Sequence, residues 1–176
     1  MCRGKHKVKL MNKISFVVNR DQLNIVISRV IDAPVGLVWN TWISSRLIPH
    51  WWGPKRLQTT VERMDVKAGG KWKFLQKDAG GHEFAFNGTY LEIVPMKKIV
   101  FTFEFDQMVG FVVDQTVLFE AIGSKTMLSL KDTYKNSEDL DVMLSSGMEN
   151  GAKESLLRFA NLAEKQVSSS IKSAYD

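Results

Sequence analysis

The spacing of hydrophobic and polar positions changes character along the chain, and each change marks an element. Residues 23–31 (LNIVISRVI) are dense in β-branched side chains and predict a strand. Asp32-Ala33-Pro34 follows, with Asp32 placed to cap a helix and Pro34 suited to its first turn. Val35, Val38, Trp39 and Trp42 then fall at helical spacing, which predicts a short amphipathic helix over residues 35–43. Ser44 or Ser45 caps a second short helix reaching to about His50, and Gly53-Pro54 breaks the chain.

From residue 57 onward, alternation takes over. Strands are predicted over residues 57–66, from Lys71, and over residues 84–93, 98–105, 114–121 and 125–133, with a loop over residues 106–113. The turns between them carry Ala68-Gly69-Gly70, Asp78-Ala79-Gly80-Gly81, Pro95-Met96 and Ile122-Gly123-Ser124. Lys71-Trp72-Lys73-Phe74 alternates strictly, so one face is wet and the other buried. Ile99, Phe101, Phe103 and Phe105 share a face, which sends Glu104 to solvent. No helix interrupts this stretch, so an antiparallel meander is the economical reading.

The last element is long. Ser137 caps it, with Glu138, Asp139 and Asp141 near the positive end of its dipole. Leu140, Leu144, Met148, Ala152, Leu156, Phe159 and Ala163 recur every three or four residues to about Gln166. Ser146 and Glu149 fit a capping box, which puts a start or a kink near Gly147. Glu149 with Lys153, and Glu154 with Arg158, are i,i+4 pairs. The fold class is therefore α+β: a curved antiparallel sheet wraps a long C-terminal helix, and two short helices after the first strand close one end. Residues 1–20 are expected to be a disordered basic tail, 21–167 the domain, and 168–176 a frayed C-terminal tail.

Composition changes this picture little. The net charge is +5, but Arg3, Lys5, Lys7 and Lys9 supply most of it, so the body of the domain is near neutral. No basic face with readable motifs argues for nucleic acid, and no apolar run reaches the ~20 residues of a membrane span. One cysteine, Cys2, fits a reducing cytoplasm. His6, His50 and His82 lack metal-ligand spacing, and neither a nucleophile motif nor a phosphate or dinucleotide loop is present. No cofactor, metal or catalytic residue is assigned.

Several segments, in order, resemble the family related to the C-terminal domain of the heat-shock-protein-90 ATPase activator, within the START-like, helix-grip superfamily. They are Asp32-Ala33-Pro34 with Val38-Trp39, His50-Trp51-Trp52-Gly53-Pro54, Ala68-Gly69-Gly70-Lys71-Trp72, and Asn87-Gly88-Thr89-Tyr90-Leu91-Glu92-Ile93. Ile99-Val100-Phe101-Thr102-Phe103 and Ser146-Gly147-Met148-Glu149-Asn150-Gly151-Ala152 with Ser155-Leu156 complete the set, which spans about residues 22–165. The resemblance implies a helix-grip fold with a cavity between sheet and C-terminal helix. Relatives include lipid carriers, cyclases and co-chaperones.

The expected function is binding of a small, largely apolar molecule in that cavity, without catalysis. Its wall is expected to be Trp52, Trp72, Phe74, Phe101, Phe103, Met148, Gly151 and Ser155. Trp51-Trp52-Gly53-Pro54 reads first as a corner that pins the short helices to the sheet, and second as a lid over the cavity. Gly147, Gly151 and Ser155 form a row of small residues on the long helix, read first as close packing and second as a cavity wall. Glu62, Arg63, Glu104 and Glu120 are the strand residues able to supply polar groups inside. Two other functions stay open: a co-chaperone-like module with a chaperone partner, and a cyclase- or hydrolase-type enzyme, which needs an ionisable cavity residue with a displaced pKa. A homodimer is also open.

Overall fold

The structure is a computed structural model and describes residues 13–173. Cys2, His6 and the basic run of residues 3–9 lie outside the described residues. Eight strands form one antiparallel sheet: β1 (Ser15–Asn19), β2 (Asn24–Ile31), β3 (Gln58–Met64), β4 (Lys71–Lys77), β5 (Glu83–Val94), β6 (Lys98–Phe105), β7 (Val112–Ile122) and β8 (Lys125–Thr133). Their spatial order is β1-β2-β8-β7-β6-β5-β4-β3. The meander from β3 to β8 thus runs straight across the sheet, and the β1–β2 hairpin joins it beside β8. Helices α1 (Val35–Ile43) and α2 (Ile48–Trp51) connect β2 to β3. Helices α3 (Ser137–Ser145) and α4 (Met148–Ser173) end the chain. The α+β class and the long helix against a curved sheet are as expected from the sequence.

Several local readings change. β1 takes residues 15–19, assigned to the tail, into the sheet by pairing Phe16 with Ile27 and Val18 with Ile25. Leu23 is a turn residue with φ of 50°, so β2 begins one residue later. Asp32 does not cap α1; its carboxylate meets Lys125 at 2.6 Å. α2 is a single turn entered from Leu47, without a serine cap. Asn136 caps α3, its side chain accepting from the Asp139 amide at 2.8 Å, and Ser137 is the first helical residue. Of the alternatives near Gly147, the chain takes a break between two helices, with Gly147 at φ of 77°. α4 then continues to Ser173, past both Gln166 and the start of the expected frayed tail.

The core sits between the sheet's concave face and α4. Leu156, Phe159, Ala160 and Ala163 are the buried stripe of the helix. Trp42 of α1 and Trp51 of α2 pack edge-on against Phe159, with ring centroids 5.2 and 4.8 Å away. Farther along the sheet Trp72 is held in place by two neighbours. Its indole nitrogen donates to the Thr102 carbonyl at 3.1 Å, and Gly88 stands opposite it in the β4–β5 ladder. A Cβ on Gly88 would lie 1.7 Å from the Thr102 oxygen and 2.5 Å from the Trp72 indole nitrogen. Backbone cannot yield as a side-chain tip does. Gly88→Ala should therefore destabilise the protein by about 2–4 kcal/mol, read as a lower urea midpoint.

Candidate functional site

The aromatic packing fills one end of the grip and leaves the other hollow. Beneath the first half of α4 lies a cavity of about 310 Å³, room for on the order of ten waters. Its floor is sheet: Phe16, Ile25, Ile27, Phe86, Phe101, Phe103, Val113 and Leu130. Its roof is helical: Trp42, Trp51, Met143, Met148, Gly151, Ala152, Ser155 and Leu156. Trp52, Gly53 and Pro54 close one side.

Strand register explains the polar part. One row of paired residues crosses the concave face as Val18, Ile25, Asp132, Gln115, Phe101 and Tyr90. Asp132 therefore stands among apolar neighbours, with Gln115 beside it. The Gln115 amide donates to an Asp132 carboxylate oxygen at 2.9 Å. Burial pushes the Asp132 carboxyl up to about 7, and the Gln115 hydrogen bond offsets only part of that shift. Among the described residues Asp132 is the sole ionisable side chain in the lining, with no Lys, Arg or His beside it there. Just past β8, the Tyr134 phenol is buried, and its oxygen makes no hydrogen bond among the described residues. Burial, and then the Asp132 charge, raise its pKa.

Two further polar groups reach the lining. Gln76 of β4 is buried and donates to the Thr59 hydroxyl at 3.3 Å; that hydroxyl donates in turn to the Trp52 carbonyl at 2.9 Å. The indole N–H of Trp51 is buried and has no acceptor among the described residues.

The Trp51-Trp52-Gly53-Pro54 corner ties α4 to the sheet. The Ser155 hydroxyl donates to the Trp51 carbonyl and accepts from the Gly53 amide, both at 3.1 Å. Arg158 donates to the carbonyls of Gly53 at 2.5 Å and His50 at 2.9 Å. Glu154 accepts from the Lys55 amide at 2.8 Å. Glu154 and Arg158 thus serve the corner rather than pairing with each other, whereas Glu149 and Lys153 do pair. Gly53 has φ of 77° and lies so close to the Gln76 amide that a Cβ would overlap it, at 1.8 Å. Trp51 packs in the core, while Trp52 lies 5.2 Å from both Phe74 and Phe86 and also borders the cavity.

The row of small residues resolves into three separate causes. Gly147 supplies the left-handed residue between helices. Gly151 has open space where its Cβ would be, so close packing does not explain it; it borders the cavity. Ser155 serves the corner. Of the expected wall, Trp52, Phe101, Phe103, Met148, Gly151 and Ser155 line the cavity. Trp72 and Phe74 do not; they border a separate void of about 30 Å³, near the size of one water. Glu62, Arg63, Glu104 and Glu120 lie outside the lining. Glu62 instead meets Lys73, Arg63 meets Asp65, and Glu104 accepts from the Gly110 amide. In the sequence Asp132, taken with Asp114 and Glu154, forms no recognisable acid–base pair, and no motif marks Gln115 or Gln76.

A bent antiparallel sheet gripping a C-terminal helix around a hollow defines a START-like, helix-grip protein. The family model described as activator of Hsp90 ATPase homolog 1-like protein matches residues 32–164, and the chain belongs to that family. Solved structures share the fold. A protein from Arthrobacter aurescens is 24% identical with a TM-score of 0.80, over 86% of this chain and 91% of its own. Protein Ms6760 from Mycobacterium smegmatis is 20% identical with a TM-score of 0.77, over 85% and 96%. Protein CV1439 from Chromobacterium violaceum is 26% identical with a TM-score of 0.72, over 81% and 97%. Among curated proteins none matches significantly. No helix among the described residues is long and apolar enough to cross a membrane.

The raised carboxyl has a measurable signature. The native state holds the Asp132 proton more tightly than the unfolded chain does. Its contribution to stability is therefore complete below the ordinary carboxyl value of 3.8 and is lost as pH rises to about 7. Asp132→Asn removes the penalty while keeping the shape. The variant should match the wild type near pH 4 and exceed it by about 2–4 kcal/mol near pH 8, in paired denaturant titrations. Equal stability at both pH values would show that the carboxyl is not desolvated.

Proposed function

We propose that this protein binds a small, largely apolar molecule in the cavity between sheet and α4, without chemical conversion. The cavity itself carries the reading. At about 310 Å³ it stands at the lower end of the range, about 300–1,000 Å³, typical of small-molecule sites. Its walls are mainly aromatic and aliphatic, with few polar groups. Affinity would come from removing ligand surface from water, worth about 25 cal/mol per Å² before the costs of association. The contacts would be Trp52, Phe101, Phe103, Met148, Gly151 and Ser155, with Trp72 and Phe74 supporting them from behind. The single cysteine, Cys2, favours a reducing cytoplasm as the place of action.

Asp132 also favours a second reading. A carboxyl titrating at about 7 can give or take a proton at neutral pH, which a cyclase- or hydrolase-type enzyme requires. Among the described residues Asp132 is the one proton-carrying group of the lining, so binding stays first.

Gly151 supplies the test, because a side chain there would enter the cavity and meet no wall first. Gly151→Leu should weaken binding of naphthylethanol, followed by tryptophan fluorescence, by about tenfold or more. The same change should leave stability unchanged or raise it by about 0.5–1 kcal/mol, since glycine within a helix is costly. Unaltered affinity in a folded variant would place binding elsewhere. Native mass spectrometry of protein purified from its own host should reveal a co-purified small molecule.

A further inference from the structure

We propose that the cavity selects organic cations: molecules with an apolar, preferably aromatic, body and a protonated amine that meets the Asp132 carboxylate. This rests on the binding reading above and names the ligand class for the same cavity.

The argument begins with an imbalance. A carboxyl inside a protein is ordinarily offset by a cation or by several donors. Among the described residues Asp132 receives one side-chain hydrogen bond, from a neutral amide, Gln115. Among the described residues no Lys, Arg or His joins the lining; the basic groups nearest in the fold are Arg29, buried farther along β2 opposite Leu128, and Lys153 of α4, which pairs with Glu149 and lies over the Phe16 ring. β2 places Ile25 opposite, β1 contributes Phe16, and α3 and α4 contribute Met143 and Met148. The remaining titratable neighbour is Tyr134, an acid whose raised pKa keeps it neutral. Gln115 donates to one carboxylate oxygen, Oδ1, which leaves Oδ2 to take a donor from a ligand.

The surroundings suit a positive charge. Phe101 and Phe103 line the same cavity as Asp132, and aromatic faces attract cations by about 0.5–2 kcal/mol when water is excluded; the Phe16 ring already has the Lys153 ammonium over it, at 5.3 Å. An ammonium at Asp132 would be paired, hydrogen-bonded and partly enclosed by rings. Anionic ligands meet the opposite situation: one like charge and no basic partner. Neutral ligands gain the apolar contacts but leave the carboxyl uncompensated.

Three probes of matched shape separate these cases: naphthylethylamine, naphthylethanol and naphthylacetate, titrated by tryptophan fluorescence near pH 8. An aliphatic amine stays protonated there. The amine should bind about tenfold tighter than the alcohol, and the acetate weakest. In Asp132→Asn the amine should lose its advantage, to within about twofold, while the alcohol binds as before. In the wild-type protein the amine preference should shrink as pH falls toward 5, where the carboxyl takes up its proton; the carboxyl carbon resonance of Asp132 should show this titration moved to lower pH by bound amine. That measurement needs no variant.

Equal binding of amine and alcohol overturns the cation proposal and leaves the cavity reading standing, as does tightest binding of the acetate. An amine preference that survives Asp132→Asn overturns the assignment to Asp132. Binding of none of the three, in protein that Gly151→Leu leaves unchanged, overturns the cavity reading and this proposal with it.

Discussion

The distance between α4 and the sheet is set by polar contacts at one corner. Ser155 and Arg158 reach from the helix to the backbone of His50, Trp51 and Gly53, and Thr59 and Gln76 hold the same corner from β3 and β4. These are bonds of fixed length. Apolar packing alone would let the helix settle until side chains met. A helix braced against a rigid corner stops where the brace stops, and what lies beneath is filled only as far as the side chains reach.

The side chains reach far at one end and fall short at the other. Around α1 and α2, Trp42, Trp51, Phe119 and Phe159 interlock with ring centroids within 6.0 Å. Under the start of α4, the helix presents Gly151 and Ala152 to the sheet. The hollow is thus a matter of which residue sizes face each other, and its polarity is a matter of register. Shifting β8 by one residue would turn Asp132 outward and Lys131 inward, exchanging an acid for a base inside the protein.

Much of this architecture could be read from the chain. The alternation in β4 and β6, the meander of strands and the apolar stripe of Leu156, Phe159 and Ala163 each follow from one period and one face. The element ends were harder. Asn136 rather than Ser137 caps α3 because the cap is decided by backbone geometry, and both residue types suit it. β1 is five residues with a weak pattern, and they gain their place only by pairing with β2. Aromatic content and family likeness point to large rings as the wall, which includes Trp72 and Phe74 beyond the lining and passes over polar groups. A signal for Asp132 was nevertheless present: Thr126, Leu128, Leu130 and Asp132 occupy one face of β8 by simple alternation, as Val113, Gln115 and Val117 do on β7. What alternation could not supply is depth. Whether an inward carboxyl ends in a core, a hollow or water depends on the strands beside it, and the sequence does not order those.

A sheet that bends without closing keeps two rims, each a row of backbone groups able to recruit a foreign strand. Here β3 forms one rim and β1 the other. The β3 rim is irregular between Val61 and Arg63 and carries Glu62, Arg63 and Met64 in quick succession. The β1 rim is only five residues long. Among the described residues neither rim offers the long, flat, apolar template on which chains stack edge to edge.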